Sequence, residues 1–386
     1  MENLVSKKVE KMQPSGIRAF FDLVLGMKDV VSLGVGEPDF VTPWQIREAG
    51  IYSLEQGFTS YTSNKGLYKL RLSLNRFLKH RHGLEYSPDD EMLITVGVSE
   101  ALDLAVRALL NPQDKVIIPI PSYVSYGPMV ELAGGTPVFI DTSKNGFKLT
   151  AEALEKAIDK KAKAVILNYP CNPTGVSYTK KELSAFSKII AQHNLVCIAD
   201  EVYDELTYDF EHTAVPTLAG AQPSTIYLNG FSKAYAMTGW RVGYACGPKD
   251  IIAAMTKIHQ YTIMCVSITS QMAACEALAT GRKPVEEMKR EYKRRRELVV
   301  DGLNRMGLFC LKPQGAFYAF PSIRKFGLSS IDFCKRLLDD QKVAVVPGTA
   351  FGSNGEGHVR ISYASSLENI KTALSRIDLF LKKLKR

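Results

Sequence analysis

The middle of the chain alternates short apolar runs of β type with segments whose apolar residues recur at helical spacing. The runs are 92–96, 115–119, 136–140, 164–168, 195–199, 225–229 and 242–246. Helical patterns occupy 99–110, 122–132, 150–156, 179–192 and 248–259. Strands alternating with helices in this way predict an α/β fold, a mostly parallel seven-stranded sheet covered on both faces. After about residue 285 the pattern changes. A long amphipathic helix is predicted over 284–306, short strands near 315–320, 343–346 and 358–363, and a closing helix over 367–383. The domain reading is therefore a large α/β domain over 43–285 and a smaller α+β domain over 286–386. Residues 1–42 lack an apolar core of their own, and are expected to pack as an arm on the smaller domain or on a second subunit.

Composition adds exclusions. Of the 386 residues, 46% are hydrophobic and 23% charged, as in ordinary globular chains. No apolar run is long enough to span a bilayer, and residues 1–13 are polar and basic, unlike a secretory signal. Seven cysteines without a Cys-x-x-Cys pair suggest a reduced, cytoplasmic protein. The formal charge of +9 raises nucleic acid as a partner. The densest basic run, 289–297, is interleaved with glutamate and followed by apolar residues at helical spacing, which reads as a solvated helix face. Neither nucleic acid nor membrane is expected as a partner. The six histidines are dispersed; His80 and His82 share a basic, helix-like stretch without thiol or carboxylate partners. All are read as surface or capping residues, and no metal site is expected.

Candidate chemistry concentrates after the strand-like runs, where open parallel sheets bind ligands. Run 225–229 leads into Gly230-Phe231-Ser232-Lys233, and Arg241 follows one to two helical turns later. Such a lysine can form a Schiff base with an aldehyde, and such an arginine can grip a phosphate. Pyridoxal phosphate requires both. Gly97-Val98-Ser99 opens a helix whose amides favour an anion, with Ser99 a candidate cap. Asp200 follows run 195–199. A buried carboxylate there needs a partner; a protonated pyridine nitrogen is one candidate, a loop-capping role the other. Asn172 centres the loop Tyr169-Pro170-Cys171-Asn172-Pro173-Thr174-Gly175. Its amide and the Tyr203 hydroxyl are candidate donors to a phenolic oxygen, although Asn-Pro also starts turns.

Taken together, the chain resembles the class I/II aminotransferases of the pyridoxal phosphate fold type I. The likeness runs from Ser32-Leu33-Gly34-Val35-Gly36-Glu37-Pro38-Asp39-Phe40, through Tyr61-Thr62-Ser63-Asn64-Lys65-Gly66 and Asn172-Pro173-Thr174-Gly175, to His358-Val359-Arg360-Ile361-Ser362-Tyr363. The subgroup it most resembles holds the prokaryotic aspartate, aromatic and N-acetyl-diaminopimelate enzymes. The resemblance implies roles. Lys233 matches the Schiff-base lysine, Asp200 the pyridine-nitrogen partner, Tyr203 and Asn172 the groups on the phenolic oxygen, and Tyr123 the aromatic stacked on the ring. Val98, Ser99 and Arg241 match phosphate contacts, with Ser232 counted among the cofactor-binding residues. Tyr61 matches a tyrosine reaching the phosphate of the neighbouring subunit, which implies a homodimer. Gly36 and Arg360 match the groups that hold the substrate α-carboxylate, with Tyr123 and Asn172 beside the substrate. Gly230 stands where the best-known aspartate enzymes have a serine. The implied reaction is a ping-pong amino transfer, with Lys233 moving the Cα proton. The donor would be an L-amino acid of aspartate, aromatic or acyl-diaminopimelate type, and the acceptor a 2-oxo acid such as 2-oxoglutarate. A C–S β-lyase and a non-catalytic ligand-binding regulator are the alternatives, because fold and cofactor do not fix the reaction.

Overall fold

The computed structural model describes residues 4–14, 16–17 and 27–384. All seven apolar runs become strands of one sheet. They are β2 (Met92–Thr95), β3 (Lys115–Ile120), β4 (Thr136–Asp141), β5 (Ala162–Asn168), β6 (Val196–Asp200), β7 (Thr225–Gly230) and β8 (Gly243–Cys246), with β1 the earlier two-residue strand Val31–Ser32. Their order is β2-β8-β7-β6-β5-β3-β4, and β8 alone runs against its neighbours. Helices cover both faces, so inner strands are apolar on both sides and read as unbroken runs. Alternation appears only in which layer each residue joins. Ile166 and Ile198 pack with Leu102, Val106 and Met255 on one face. Val165 and Cys197 pack with Leu183, Phe186 and Ile190 on the other. Each large side chain so buried contributes about 1.5–3 kcal/mol.

The helices are α1 (Lys7–Lys11), α2 (Trp44–Glu55), α3 (Tyr68–His82), α4 (Gly97–Leu109), α5 (Tyr126–Leu132), α6 (Ala151–Ala157), α7 (Lys180–Gln192), α8 (Lys249–Thr262), α9 (Ile268–Thr280), α10 (Arg282–Arg305), α11 (Ser330–Gln341) and α12 (Leu367–Leu384). Near the C-terminus, β9 (Tyr318–Ala319), β12 (Val359–Ser362) and β11 (Val346–Pro347) form an antiparallel sheet with β12 central. Strand β1 pairs in parallel with β10 (Val343–Ala344), which ties this part of the arm to the C-terminal elements of its own chain.

Several expectations need correction. The run 343–346 is two strands, β10 and β11, which pair with different partners. The strand expected over 315–320 shrinks to Tyr318–Ala319, because Ala316 adopts a positive φ of 57°. The helix expected from residue 122 starts at Tyr126; Ser122 spends its N–H on the Phe351 carbonyl instead. Helices α2, α9 and α11 carry no expectation from the sequence. In α2 the apolar Ile51, Tyr52 and Leu54 face solvent, and in α9 small residues pack against α2 and α3. The surface reading of the histidines fails for four of them; His358 is buried and stacked on Phe320, and the other three meet carboxylates. His82 lies 3.4 Å from Asp204, His212 2.5 Å from Glu201 and His259 2.8 Å from Glu100, each imidazole buried. Among the described residues no cluster of His, Cys, Asp and Glu suits a metal ion, and no helix is long and apolar enough to cross a membrane.

One helix, α10, braces two distant segments. In α10, Arg295 donates to Asp39 at 2.7 Å and lies over the Phe40 ring. Arg296, fully buried, forks onto Asp209 at 2.6 and 2.9 Å, donates to the Pro313 carbonyl and stacks over Tyr208. Such planar, bidentate contacts are specific to arginine.

Candidate active site

The segments that follow β2, β3, β5, β6 and β7 meet at one end of the sheet, the end at which parallel sheets bind ligands. Lys233 follows β7, and its Nζ donates to the Gly36 carbonyl at 2.7 Å. It lies 5.8 Å from the ring centres of Tyr203 and Phe317. Burial lowers its pKa to about 8 against the pull of Glu37, with Arg360 and Arg241 adding repulsion. A sizeable share of the amine is therefore neutral near pH 8.

Asp200 ends β6, buried. Tyr126 donates its hydroxyl to Oδ2 at 2.7 Å, and the Val202 N–H reaches Oδ1 at 3.4 Å. Burial nevertheless raises the carboxyl to about 6. The hydroxyl of Tyr203 meets that of Tyr318 at 2.8 Å. Asn172 accepts at Oδ1 from Arg360 Nη1 at 2.9 Å, which leaves its Nδ2 group to donate. Tyr123 is half-buried, edge-on to Tyr126.

The shift on Asp200 carries a stability prediction for the cofactor-free protein. The folded state keeps a proton that the unfolded chain, at an ordinary 3.8, releases. Stability therefore falls as pH rises through about 4 to 6, by about 3 kcal/mol for this group. Asp200→Asn removes that loss. In urea at about pH 7.5 the variant should be the more stable protein, and the difference should vanish near pH 4. A variant no more stable at the higher pH would refute the assignment.

Arg360 lies in β12 with 2% of its surface exposed. Its guanidinium covers the rings of Tyr318 and Phe351 at 4.5 and 4.8 Å and donates to the Gly34 carbonyl at 2.5 Å. Among the described residues no carboxylate lies within ion-pair distance, and Nε is buried without a partner. A buried cation left in this state suits an anionic ligand. Beside it, a Cβ on Gly36 would stand 2.5 Å from the Tyr318 hydroxyl, so any larger residue would displace that buried ring.

A second anion site lies across the cleft. Gly97 has φ +71°, and a Cβ there would stand 2.6 Å from Arg241 Nη2. Arg241 itself adopts a positive φ and donates Nη1 to the Thr238 carbonyl at 2.9 Å. The amides of Val98 and Ser99 have no acceptor within the helix, and a Cβ on Gly243 would stand 2.8 Å from Val98 N. Ser99 is not the cap: Val96 is, and Ser99 lies inside the first turn. A Cβ on Gly230 would stand 3.1 Å from Val98 Cγ2 and 3.0 Å from the Gly243 backbone, so the packing leaves little room for a serine. Ser232 is buried beside Lys233. A helix N-terminus with a guanidinium on it fits a phosphate, and the unpaired Arg360 fits a carboxylate. An aldehyde carrying a phosphate and a basic ring nitrogen matches the set formed by the cradle, Lys233 and Asp200.

Tyr61 is 81% exposed. Its segment is tied to the turn after α8 by Asn64 Nδ2 donating to the Met264 carbonyl at 2.7 Å. Trp44, Tyr52, Tyr261 and Ile263 are also exposed apolar groups. Sequence reasoning missed Tyr126 and Tyr318. Tyr126 carried one signal, its place three residues after Tyr123 on a helical pattern; Tyr318 carried none.

The sequence profile described as "Aminotransferase class I and II" matches residues 28–377. YugH of Bacillus subtilis is 52% identical over 384 residues, covering 99% of this chain and all of the relative. An aspartate aminotransferase of Pyrococcus abyssi is 45% identical over 385 residues and 99% of both chains. The crystal structure of an aromatic aminotransferase from Pyrococcus horikoshii superposes with a TM-score of 0.91 at 43% identity, over 96% of this chain and 99% of that one.

Proposed function

Because the chain belongs to the class I and II aminotransferases, a transaminase family that depends on pyridoxal phosphate, we propose that it transfers the amino group of an L-amino acid to 2-oxoglutarate by a ping-pong mechanism. The observation that carries this reading is Arg360, a buried guanidinium without an acidic partner at the cleft that holds Lys233. When bound, the cofactor supplies the electron sink and carries the amino group between half-reactions. The chain's own residues do the rest. The cradle of Val98, Ser99, Ser232 and Arg241 holds the phosphate. Asp200, oriented by Tyr126, holds the ring nitrogen in its protonated form, and Asn172 and Tyr203 serve the phenolic oxygen. Tyr123 covers the ring. Arg360 and the Gly36 segment fix the substrate α-carboxylate, and the neutral amine of Lys233 takes and returns the Cα proton.

For the donor, relatives named for aspartate and for aromatic amino acids lie at nearly equal identity. The surroundings of Arg360 favour the aromatic type. Its ring neighbour Phe351 packs in an apolar cluster with Phe320, Val346, Ile17 and Val124. A dicarboxylic or acyl-diaminopimelate donor would draw its distal contact from another subunit. The exposed apolar groups near Tyr61 support a homodimer that supplies such contacts, and the free cysteines support a cytoplasmic location.

The test is a half-reaction panel. Phenylalanine, tyrosine, aspartate and N-acetyl-diaminopimelate are each mixed with the holoenzyme, and the loss of cofactor absorbance is followed. Fast turnover with the aromatic pair supports the reading. Turnover of aspartate alone would refute the donor class, and ammonia and pyruvate release from cystathionine would favour a lyase.

A further inference from the structure

The turn at the start of α4 is held from behind by residues that the proposed reaction does not use. Glu100 stands in the first turn, nearly buried. One of its oxygens accepts the Val96 N–H at 2.5 Å, and the other meets His259 Nδ1 at 2.8 Å. His259 comes from α8, is fully buried, and has no partner for Nε2. From the other side the Thr95 hydroxyl donates to the Gly97 carbonyl at 2.9 Å. Side chains thus fix one peptide group on each side of the Val96–Gly97 link, and Gly97 is left in its left-handed conformation. The amides of Val98 and Ser99 remain to face the cleft.

A carboxylate in the first turn is well placed for the helix dipole. Beside a phosphate site it would also repel the ligand, unless it is anchored and partly neutralised. A His259 Nδ1–H donated to Glu100 anchors the carboxylate and spreads part of its charge into the hydrogen bond. The pair joins two helices far apart in sequence at the one point where the backbone turns to meet an anion.

We propose that Glu100 and His259 are positioning residues for the cofactor's phosphate. They hold the 96–99 turn so that its free amides and Arg241 converge, while touching neither cofactor nor substrate. The proposal rests on the pyridoxal phosphate reading above, and its test separates the two.

Cofactor-free protein is titrated with pyridoxal 5′-phosphate and, separately, with pyridoxal, which has the same ring and aldehyde without the phosphate. Binding is read by absorbance. In Glu100→Ala and His259→Leu the Kd for the phosphorylated form should rise about tenfold or more, while that for pyridoxal should change less than about twofold. Glu100→Gln retains an acceptor for the Val96 N–H and should keep most of the affinity, and it serves if the alanine variant does not fold. Equal losses for both ligands would show a merely structural role and overturn the proposal. So would phosphate-form binding as tight as, or tighter than, that of the parent. If the parent bound neither ligand, the cofactor reading itself would fail.

Discussion

Lys233→Ala is expected to lower the rate of amino transfer by about 10⁴-fold or more, the upper end of what a positioned acid–base group supplies. The same side chain is also the expected anchor for the aldehyde, so the loss should exceed that of a base alone. The structure explains why this amine is suited to both tasks. It is held in a cleft between Tyr203 and Phe317, pointed at the Gly36 carbonyl and lowered to about 8 by burial. In cofactor-free protein its reactivity toward an amine-directed reagent should climb as pH rises through about 8 and level off above, since only the neutral form attacks. Steady-state kinetics of the variant and peptide mapping of the labelled parent check both statements. Borohydride treatment of the holoenzyme should leave the cofactor attached at position 233. Full activity in Lys233→Ala, or attachment elsewhere, would remove the basis of the mechanism.

The sheet was legible because parallel strands buried on both faces must be apolar throughout. Runs such as 164–168 and 225–229 cannot be solvent-facing, and they recur between helical patterns. Helices α2 and α9 were not legible. Exposed apolar residues in one and small residues in the other blur the stripe that a helix with one buried face displays. The candidate site divides in the same way. Asp200 ends a strand, and Lys233 and Gly97–Ser99 follow one, so position along the chain announced them. Tyr126, Tyr318, Glu100 and His259 make contacts spanning 74, 115 and 159 residues. No local spacing encodes such contacts, and two of the misread histidines share that cause: the acidic partners of His82 and His259 lie more than 100 residues away. The brace from Arg295 to Asp39 belongs with them. It fixes the segment after Gly36 from a helix that looked, in sequence, like a basic solvated face.

Arg360→Lys should reduce kcat/KM by about 10²–10³-fold, mainly through KM, although the charge is retained. Three features of the site argue this. The guanidinium is aligned by two fixed acceptors, Asn172 Oδ1 and the Gly34 carbonyl. Its plane lies over Tyr318 and Phe351, a stacking that an ammonium cannot reproduce. It has no acidic partner among the described residues, so its charge is available to a ligand. A carboxylate held by a fork gains two charge-assisted bonds, whereas a lysine offers one mobile point of contact. Loss of a buried charged hydrogen bond costs about 2–5 kcal/mol, which sets the scale of the effect. The fold should suffer less, because the change leaves no buried carboxylate unpaired. The decisive control is an amine donor without an α-carboxylate. Such a donor gains nothing from the fork, so parent and variant should handle it at similar, low rates. If the variant loses as much with that amine as with the amino acid, Arg360 shapes the site without gripping the carboxylate. If KM for the amino acid stays unchanged, the buried guanidinium belongs to the fold and the substrate contact must be sought elsewhere in the cleft.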